Sequence, residues 1–337
     1  MSRSIRVAVD AVGGDNGPAE IVRGALEAAS DGVVPVLYGP PGLRTDGLEL
    51  VEAREAITMD EKPADAVRAK PESSLVLACR AVSAGDADAL VSAGNTGATL
   101  AAGLLALRRL PGVMRPAIGV PLPARRGPAL LLDSGANADA RPEHLLQFAQ
   151  MGAIFAEEIL GRPNPEVRLL SIGEEREKGN QLTREAHELL AFDDSLNFGG
   201  NVESRYLLDD PGDVVVCDGS TGNVALKALE GTIRIVLESL REELGRTARG
   251  RLGGLLVRPA ARALRARLDP DTFGGAYLIG LHGLVVIAHG DSSPRAIANA
   301  IRLAGRGVRH RVVERLAERV SERERVVASA GPRDRRK

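Results

Sequence analysis

The sequence predicts an α/β protein built on a largely parallel sheet flanked by helices. Short apolar runs rich in β-branched residues alternate with segments of helical periodicity along the chain, as in layered α/β folds. The 337 residues are 44% hydrophobic, which is enough for a sizeable core. Loops rich in Gly and Asn follow several of the strand-like runs, at the positions where such folds bind ligands.

The first third of the chain predicts three strands and three helices. The strands are short runs bounded by Asp, Gly or Pro, at 5–9, 33–38 and 87–91. The first helix follows Pro18, which suits a first helical turn, and its apolar residues repeat at helical spacing through position 29. Two more helices are predicted at 73–84 and 98–110, whereas the polar residues 43–72 show no clear pattern.

The rest of the chain continues the alternation. Further strands are predicted at 118–122, 129–132, 167–172, 214–217 and 284–288. Helical patterns occupy 143–160, 183–190, 224–244 and 294–325, and the last is expected to break near Gly305 and Gly307. Together these elements predict one two-lobed catalytic domain over 1–330, with a disordered basic tail at 331–337.

Residues 245–268 form a basic amphipathic segment with seven arginines and no acidic residue. Gly253, Gly254 and Pro259 predict two short helices here. Arginines and leucines fall on different faces, which is typical of contact with an anionic membrane surface. The residues assigned to that contact are Arg251, Leu252, Leu255, Leu256, Arg258, Arg262 and Arg265. A dimer interface, a solvated face and a docking site for an acidic carrier protein remain open alternatives.

Composition narrows the class of protein. The net charge of −1 argues against nucleic-acid binding by bulk electrostatics. The two cysteines, Cys79 and Cys217, lie in apolar runs and are interpreted as buried thiols, and no metal-binding motif occurs. The chain has no signal-peptide pattern and no apolar run of about 18 residues, so we expect a cytoplasmic protein.

Four Gly/Asn loops suggest one phosphate-handling cleft. They are residues 92–97, 133–137, 197–201 and 218–223, and all but 197–201 follow strand-like runs. Glycine lets the backbone approach a ligand, and backbone N–H groups in such turns bind anions. The Walker loop, the dinucleotide fingerprint and the nucleophile elbow are all absent from the sequence.

Seven ordered blocks carry a resemblance to the bacterial phosphate acyltransferases of phospholipid synthesis. They lie at 9–18, 91–98, 132–137, 173–180, 197–203, 218–223 and 273–276, and the resemblance as a whole runs from about residue 5 to residue 325. Position 16 is Asn where the family pattern has His, and position 220 is Ser where it has an aromatic residue. The second departure leaves the family resemblance intact, and the first removes any role for a histidine at position 16.

The resemblance implies a fold, a reaction and partners. The fold is similar to that of isocitrate and isopropylmalate dehydrogenases and phosphotransacetylase, usually as a homodimer. An acyl group passes from acyl-acyl-carrier-protein to inorganic phosphate, without a cofactor or metal. The acyl phosphate is then handed to a membrane acyltransferase, a possible downstream partner, and this favours peripheral attachment to the membrane.

The candidate site residues come from these blocks. Lys178 is the expected catalytic cation, with a solvated turn residue as the alternative. Asn223 is expected to donate its amide to the phosphate or to the oxyanion, with a capping role as the alternative. Asn95 and Thr96 are candidates for phosphate binding, with simple helix capping as the alternative for Asn95. Asp10 and Asp15 are expected to hold loops, and Asp133 and Asp218 to orient Lys178 or a phosphate loop. The remaining candidate substrate-binding residues are Gly97, Asn137, Asn201, Ser220, Thr221 and Gly222.

Two other functions stay open on sequence. An NAD-dependent decarboxylating dehydrogenase would share the fold class, but no close Asp cluster of metal-binding spacing occurs. A non-catalytic membrane scaffold that binds acyl-carrier protein would have no need of a phosphate cleft. A change in nicotinamide absorbance on substrate addition would identify the dehydrogenase. Binding of the carrier protein without turnover would identify the scaffold.

Overall fold

The computed structural model describes residues 4–29, 32–268 and 274–329. The strands within these residues are β1 (Ile5–Asp10), β2 (Val33–Gly39), β3 (Glu49–Glu52), β4 (Ala89–Ser92), β5 (Ala117–Leu122), β6 (Ala129–Leu132), β7 (Glu166–Ser171), β8 (Asn197–Glu203), β9 (Val214–Val216), β10 (Ala276–Ile279) and β11 (Leu284–Ile287). The helices are α1 (Pro18–Ala28), α2 (Pro63–Ala69), α3 (Ser74–Ala84), α4 (Thr96–Ala106), α5 (Pro142–Glu158), α6 (Gln181–Phe192), α7 (Gly219–Arg246), α8 (Ala248–Leu268), α9 (Pro294–Arg309) and α10 (Val312–Ser329).

All eleven strands form one sheet in the order β3-β2-β1-β4-β11-β10-β5-β6-β9-β7-β8. Neighbours are parallel except at β11–β10, β10–β5 and β5–β6, which confirms the largely parallel sheet. Because these three pairs are antiparallel, the β3–β2–β1–β4–β11 block and the β6–β9–β7–β8 block run in opposite directions. The carboxyl ends of the two blocks therefore lie at opposite ends of the sheet.

Helices cover both faces of the sheet. In β1, Val7 and Val9 join the core packed under α1, α5 and α9, while Ala8 faces the core under α2, α3 and α4. Strands β4, β6 and β9 are buried at every position, as expected for strands covered on both faces. Their uniformly apolar sequences are therefore a consequence of the layered arrangement.

Most predicted elements are confirmed, and four were missed. Strand β3 and helix α2 lie in the segment 43–72, and β10 lies beside β11. Residues 197–201, expected as a loop, lie within the edge strand β8. Its pairing with β7 shifts register between Val167 and Leu169, which accommodates the two glycines of β8. The alternation of apolar and polar residues did not reveal β8, because this strand is held in place by its hydrogen bonds to β7.

The break predicted within 245–268 is absent, and the break predicted in the C-terminal helix is present but lies further along the chain. Segment 248–268 is one continuous helix despite Pro259, and none of its residues is buried, so water can hydrate the carbonyl that proline leaves unbonded. The C-terminal helices separate at Arg311, which has φ +53°, and not at Gly305 or Gly307. Both glycines lie inside α9, where they allow close packing on the sheet.

Substitution Gly305→Ala is expected to lower the free energy of unfolding by about 1–3 kcal/mol through overpacking. A Cβ there would lie 2.7 Å from Cγ2 of Val33, which is buried and cannot retreat. Gly253→Ala in α8 is the matched control, because its Cβ would meet nothing within 4 Å. Urea denaturation should show a gain of up to about 1 kcal/mol for the control, and equal midpoints for both variants would contradict the packing role.

Helices α7 and α8 form an arm that packs mainly on itself. Only Gly219, Gly222 and Leu226 are buried in α7, all near its start, and α8 has no buried residue. Within the described ranges, no helix has both the length and the apolarity needed to cross a bilayer. The two-lobed domain remains a prediction, and the tail 331–337 and Phe273 of the last block lie outside the described residues.

Candidate functional site

A cleft of about 430 Å³ lies on the face of β5 and β10, beneath the first turns of α7. Its walls are mostly apolar, and its polar groups come from loops at both ends of the sheet. The apolar walls include Ile118, Val120, Leu122, Leu226, Leu229 and Ile233. A predominantly apolar pocket with a few convergent polar groups is the usual form of a small-molecule site.

Helix α7 brings the two ends of the sheet into this one cleft. It begins beside the loop after β6, where Asn223 faces Gly135. It then crosses the antiparallel pair β10–β5, and Glu230 reaches His289 at the carboxyl end of β11. The cleft therefore collects Gly94 and Thr96 from one end of the sheet and Ser134 and Gly135 from the other.

The Gly/Asn loops do not all lie at one end of the sheet. Loop 92–97 follows β4, whereas loops 133–137 and 218–223 follow β6 and β9, which run the opposite way. Three of the four loops still reach one cleft, because the reversal at β10 and β5 is bridged by α7. Among the candidate residues, Thr96 and Asn223 line that cleft.

Asp10 is buried and holds neighbouring loops together. Its carboxylate accepts hydrogen bonds from Ser74 Oγ at 2.6 Å and Ser92 Oγ at 2.8 Å. Burial raises the pKa of Asp10, and these hydroxyl bonds oppose the rise. A Cβ on Gly13 would lie 2.6 Å from the Gly94 nitrogen, so the first loop rests directly on loop 92–97. The Asp10 carboxylate thus joins the start of α3 to the end of β4, and its part in the site remains a prediction.

Asp133 organises the loop after β6. Oδ1 accepts from the backbone nitrogens of Ile118, Gly135 and Ala136, and Oδ2 accepts from both nitrogens of Asn137. Asn137 also donates to Pro116 O at 2.8 Å. Both side chains are buried and are used by the fold, so they shape the cleft from behind its surface.

Asn95 and Asp218 cap the two helices that open onto the cleft. Asn95 Oδ1 accepts from Ala98 N at 3.0 Å and caps α4, while its amide group donates to the Met59 and Glu61 carbonyls. Asp218 accepts from Thr221 N and Thr221 Oγ1 and caps α7. The Asn95 side chain is therefore a helix cap, which was the alternative given for it. The backbone N–H groups in the first turn of α4 point towards the start of the helix.

The smaller candidate residues show why the loops can approach each other. Gly222 lies against Asp133 O, where a Cβ would overlap the carbonyl, and a Cβ on Gly97 would lie 2.6 Å from Pro63. Asp15 N donates to Gly290 O at 2.6 Å, which joins the first loop to the β11 loop. Ser220 and Thr221 are exposed at the start of α7.

Lys178 and Asn201 do not line the cleft of this chain. Lys178 is exposed in the loop after β7, one strand away from β9 and the start of α7. Asn201 is buried, lies 2.9 Å from His187 Nδ1 through Oδ1, and donates to Glu175 O at 2.9 Å. Because Lys178 N also donates to Glu175 O, Asn201 anchors the turn that carries Lys178.

Three polar residues that line the cleft, Lys227, Glu230 and His289, were missed as site residues from the sequence. Glu230 Oε2 accepts from Lys227 Nζ at 2.9 Å, and Glu230 Oε1 lies 3.2 Å from His289 Nε2. Burial alone would raise the pKa of Glu230, but His289 and Lys227 outweigh it and leave the pKa below its ordinary value. The sequence held one indication of this cluster. Lys227 follows Asn223 by one helical turn, so the two side chains lie on the same face of the predicted helix.

The cysteines are buried thiols, as predicted. Burial raises the pKa of Cys79 to about 12 and raises that of Cys217 well above its ordinary value. A thiol needs to ionise to act as a nucleophile, so neither suits that role. The described residues contain no cluster of three or more His, Cys, Asp or Glu side chains placed to hold a metal.

The basic segment is placed on the outside of the arm. Leu252, Leu255 and Leu256 are 63%, 62% and 77% exposed. Arg258, Arg262 and Arg265 instead line a groove between α7 and α8. These leucines and arginines therefore lie on different faces of α8, as predicted. The arginine face is turned towards α7.

Comparison with known proteins gives the family. The model of the fatty acid synthesis protein family matches residues 5–315. A phosphate acyltransferase of Heliobacterium modesticaldum is 45% identical over 328 residues, covering 94% of this chain and 98% of that protein.

Solved structures agree with the fold. A phosphotransacetylase from Streptococcus pyogenes has a TM-score of 0.59 at 17% identity, covering 93% of this chain and 95% of that one. A 4-hydroxythreonine-4-phosphate dehydrogenase from Klebsiella pneumoniae, whose fold is related to that of isocitrate and isopropylmalate dehydrogenases, has a TM-score of 0.52 at 12% identity, covering 90% of this chain and 99% of that one. On the family model and the similarity to its curated relatives, the chain belongs to the phosphate acyltransferase family of fatty acid synthesis proteins.

Proposed function

We propose that the cleft transfers a fatty acyl group from acyl-acyl-carrier-protein to inorganic phosphate. The observation that carries this proposal is the combination of apolar walls with neutral donors at the starts of α4 and α7. The apolar walls suit an acyl chain, and the donors suit a phosphate and a developing oxyanion. The Ser134 hydroxyl donates to Leu131 O, and no serine hydroxyl among the described cleft residues is hydrogen-bonded to a histidine ring or a carboxylate.

Direct attack by phosphate accounts for this arrangement. A phosphate oxygen forms a bond to the thioester carbonyl carbon, and the carbon–sulfur bond breaks. The electron pair leaves with the carrier thiolate, which takes a proton from solvent. Asn223 is proposed to donate its amide to the phosphate or to the oxyanion, and Lys178 to supply the cation. Lys178 is exposed in the loop after β7, so an anionic substrate can reach its side chain.

The reaction is tested by incubating purified protein with palmitoyl-acyl-carrier-protein, with and without inorganic phosphate, and trapping acyl phosphate with hydroxylamine. Phosphate-dependent acyl hydroxamate supports the transferase. Equal consumption of thioester without phosphate would indicate hydrolysis and reject it. Carrier binding with no consumption would favour the scaffold function, and a change in nicotinamide absorbance on substrate addition would favour the dehydrogenase.

A homodimer and a peripheral membrane contact complete the proposal. The α7–α8 arm exposes Ile235, Val236 and Leu240 as well as the leucines of α8, which is an extensive apolar surface for a lone chain. We assign the membrane contact to Leu252, Leu255 and Leu256 together with the basic charge of α8. Such a contact would place the acyl phosphate beside the downstream membrane acyltransferase, the further partner proposed.

The double variant Leu255→Glu/Leu256→Glu is expected to lose binding to anionic vesicles by at least about tenfold, because two exposed apolar side chains leave the bilayer boundary. Vesicle flotation measures it, with size-exclusion chromatography to confirm an unchanged oligomer. Leu105→Glu, also at an exposed leucine but on α4, is the control. Equal flotation of all three proteins would contradict the membrane contact at α8.

A further inference from the structure

The groove between α7 and α8 is large and strongly basic. It has a volume of about 1050 Å³ and is lined by six basic residues against three acidic ones. The basic residues are Lys227, Arg234, Arg241, Arg258, Arg262 and Arg265. Clefts lined by one sign of charge attract ions of the other sign and speed their association.

The arginines come from both walls of the groove. Helix α7 supplies Arg234 and Arg241, and α8 supplies the other three. Among the described residues, none of the five forms a salt bridge or a side-chain hydrogen bond, whereas Lys227 and His289 at the end of the groove both contact Glu230. Like charges that face each other across a gap repel unless an anion lies between them. The groove is therefore built for an anionic occupant.

The groove is continuous with the cleft. Lys227, Glu230, Ile233 and His289 line both. Its floor carries Leu237, Leu244 and Val257, so an occupant with an apolar stem and anionic groups would fit along it. Lys227 and His289 both contact Glu230 at the junction, so a chain passing from groove to cleft must run beside this cluster.

We propose that the α7–α8 groove docks acyl-acyl-carrier-protein, holding the phosphodiester of its thioester arm and the acidic surface around it. This inference rests on the proposed function and names the surface on which its donor binds. A carrier delivers its acyl group as a thioester on a phosphate-linked arm, so anionic groups precede the thioester along the chain. The groove binds the anionic part, and the thioester passes the Glu230 junction into the cleft. Arginine is the side chain best suited to phosphate and carboxylate recognition.

The test is the double variant Arg258→Glu/Arg262→Glu, assayed by hydroxamate trapping with two donors. Octanoyl-carrier-protein has the phosphate-linked arm and the acidic protein, and octanoyl N-acetylcysteamine has neither. We expect KM for the carrier donor to rise at least about tenfold, with kcat/KM for the small donor within about twofold of wild type. Arg249→Glu/Arg267→Glu is the matched control, since it makes the same charge change on two exposed α8 residues outside the groove.

Calorimetric binding of the carrier protein separates failure of the docking site from failure of the proposed function. If wild type turns over neither donor but binds the carrier through these arginines, the reaction is wrong and the docking site stands. An unchanged KM and affinity in the double variant overturns the docking site. If the double variant loses vesicle binding but keeps its KM for the carrier donor, the arginines contact the membrane instead. If its oligomeric state changes and activity falls equally with both donors, the arginines belong to a subunit interface.

Discussion

Replacing Asp133 by alanine is expected to lower the free energy of unfolding by about 4 kcal/mol, or to prevent folding altogether. The buried carboxylate accepts five hydrogen bonds from Ile118, Gly135, Ala136 and Asn137. Alanine would leave four backbone N–H groups without this acceptor. Such buried donors cost more than an average hydrogen bond contributes, because their desolvation is no longer compensated.

Two further variants make this prediction decisive. Asp133→Asn keeps the volume and one acceptor oxygen, and we expect it to lose about half as much stability. Asp218→Ala removes another aspartate, but that side chain only caps α7 near the surface, so about 1 kcal/mol is expected. Urea denaturation ranks the three proteins. A loss at position 133 no larger than that at position 218 would contradict the role of Asp133 as the centre of the loop.

Removing Lys178 is expected to lower kcat of the phosphate-dependent reaction about 10²–10³-fold, as does loss of a group that stabilises developing charge. Asn223→Ala is expected to cause about a 10²-fold loss for the same reason. Asn223 is exposed in the first turn of α7 and Lys178 is exposed after β7, so neither change should shift the urea midpoint. Hydroxylamine trapping at saturating phosphate measures the effect.

The control for these variants is Lys62→Ala, which removes an exposed lysine at the start of α2. Because Lys178 does not line the cleft of its own chain, its variant also tests the assignment carried by the family resemblance. Activity of Lys178→Ala within about twofold of wild type would remove Lys178 from the catalytic group. Asn223 and the N–H groups at the start of α4 would then carry the site alone.

Local patterns in the sequence were sufficient for most of the elements and for the family. The β-branched run of β1 and the apolar spacing of α1 each reflect one buried face, which is visible in a single segment. The edge strand β8 and the continuous helix α8 were not visible in this way. The first depends on the hydrogen bonds of β7, and the second on the solvent around Pro259.

The candidate site shows the same division. The sequence by itself determined the α/β class, the Gly/Asn loops, and the presence of Lys178 and Asn223, because these follow from residue type and spacing along the chain. Only the tertiary structure decided that the two halves of the sheet run in opposite directions and that α7 carries Asn223, Lys227 and Glu230 across the reversal into one cleft. Strand direction depends on pairing between segments far apart in sequence, and no local pattern encodes it.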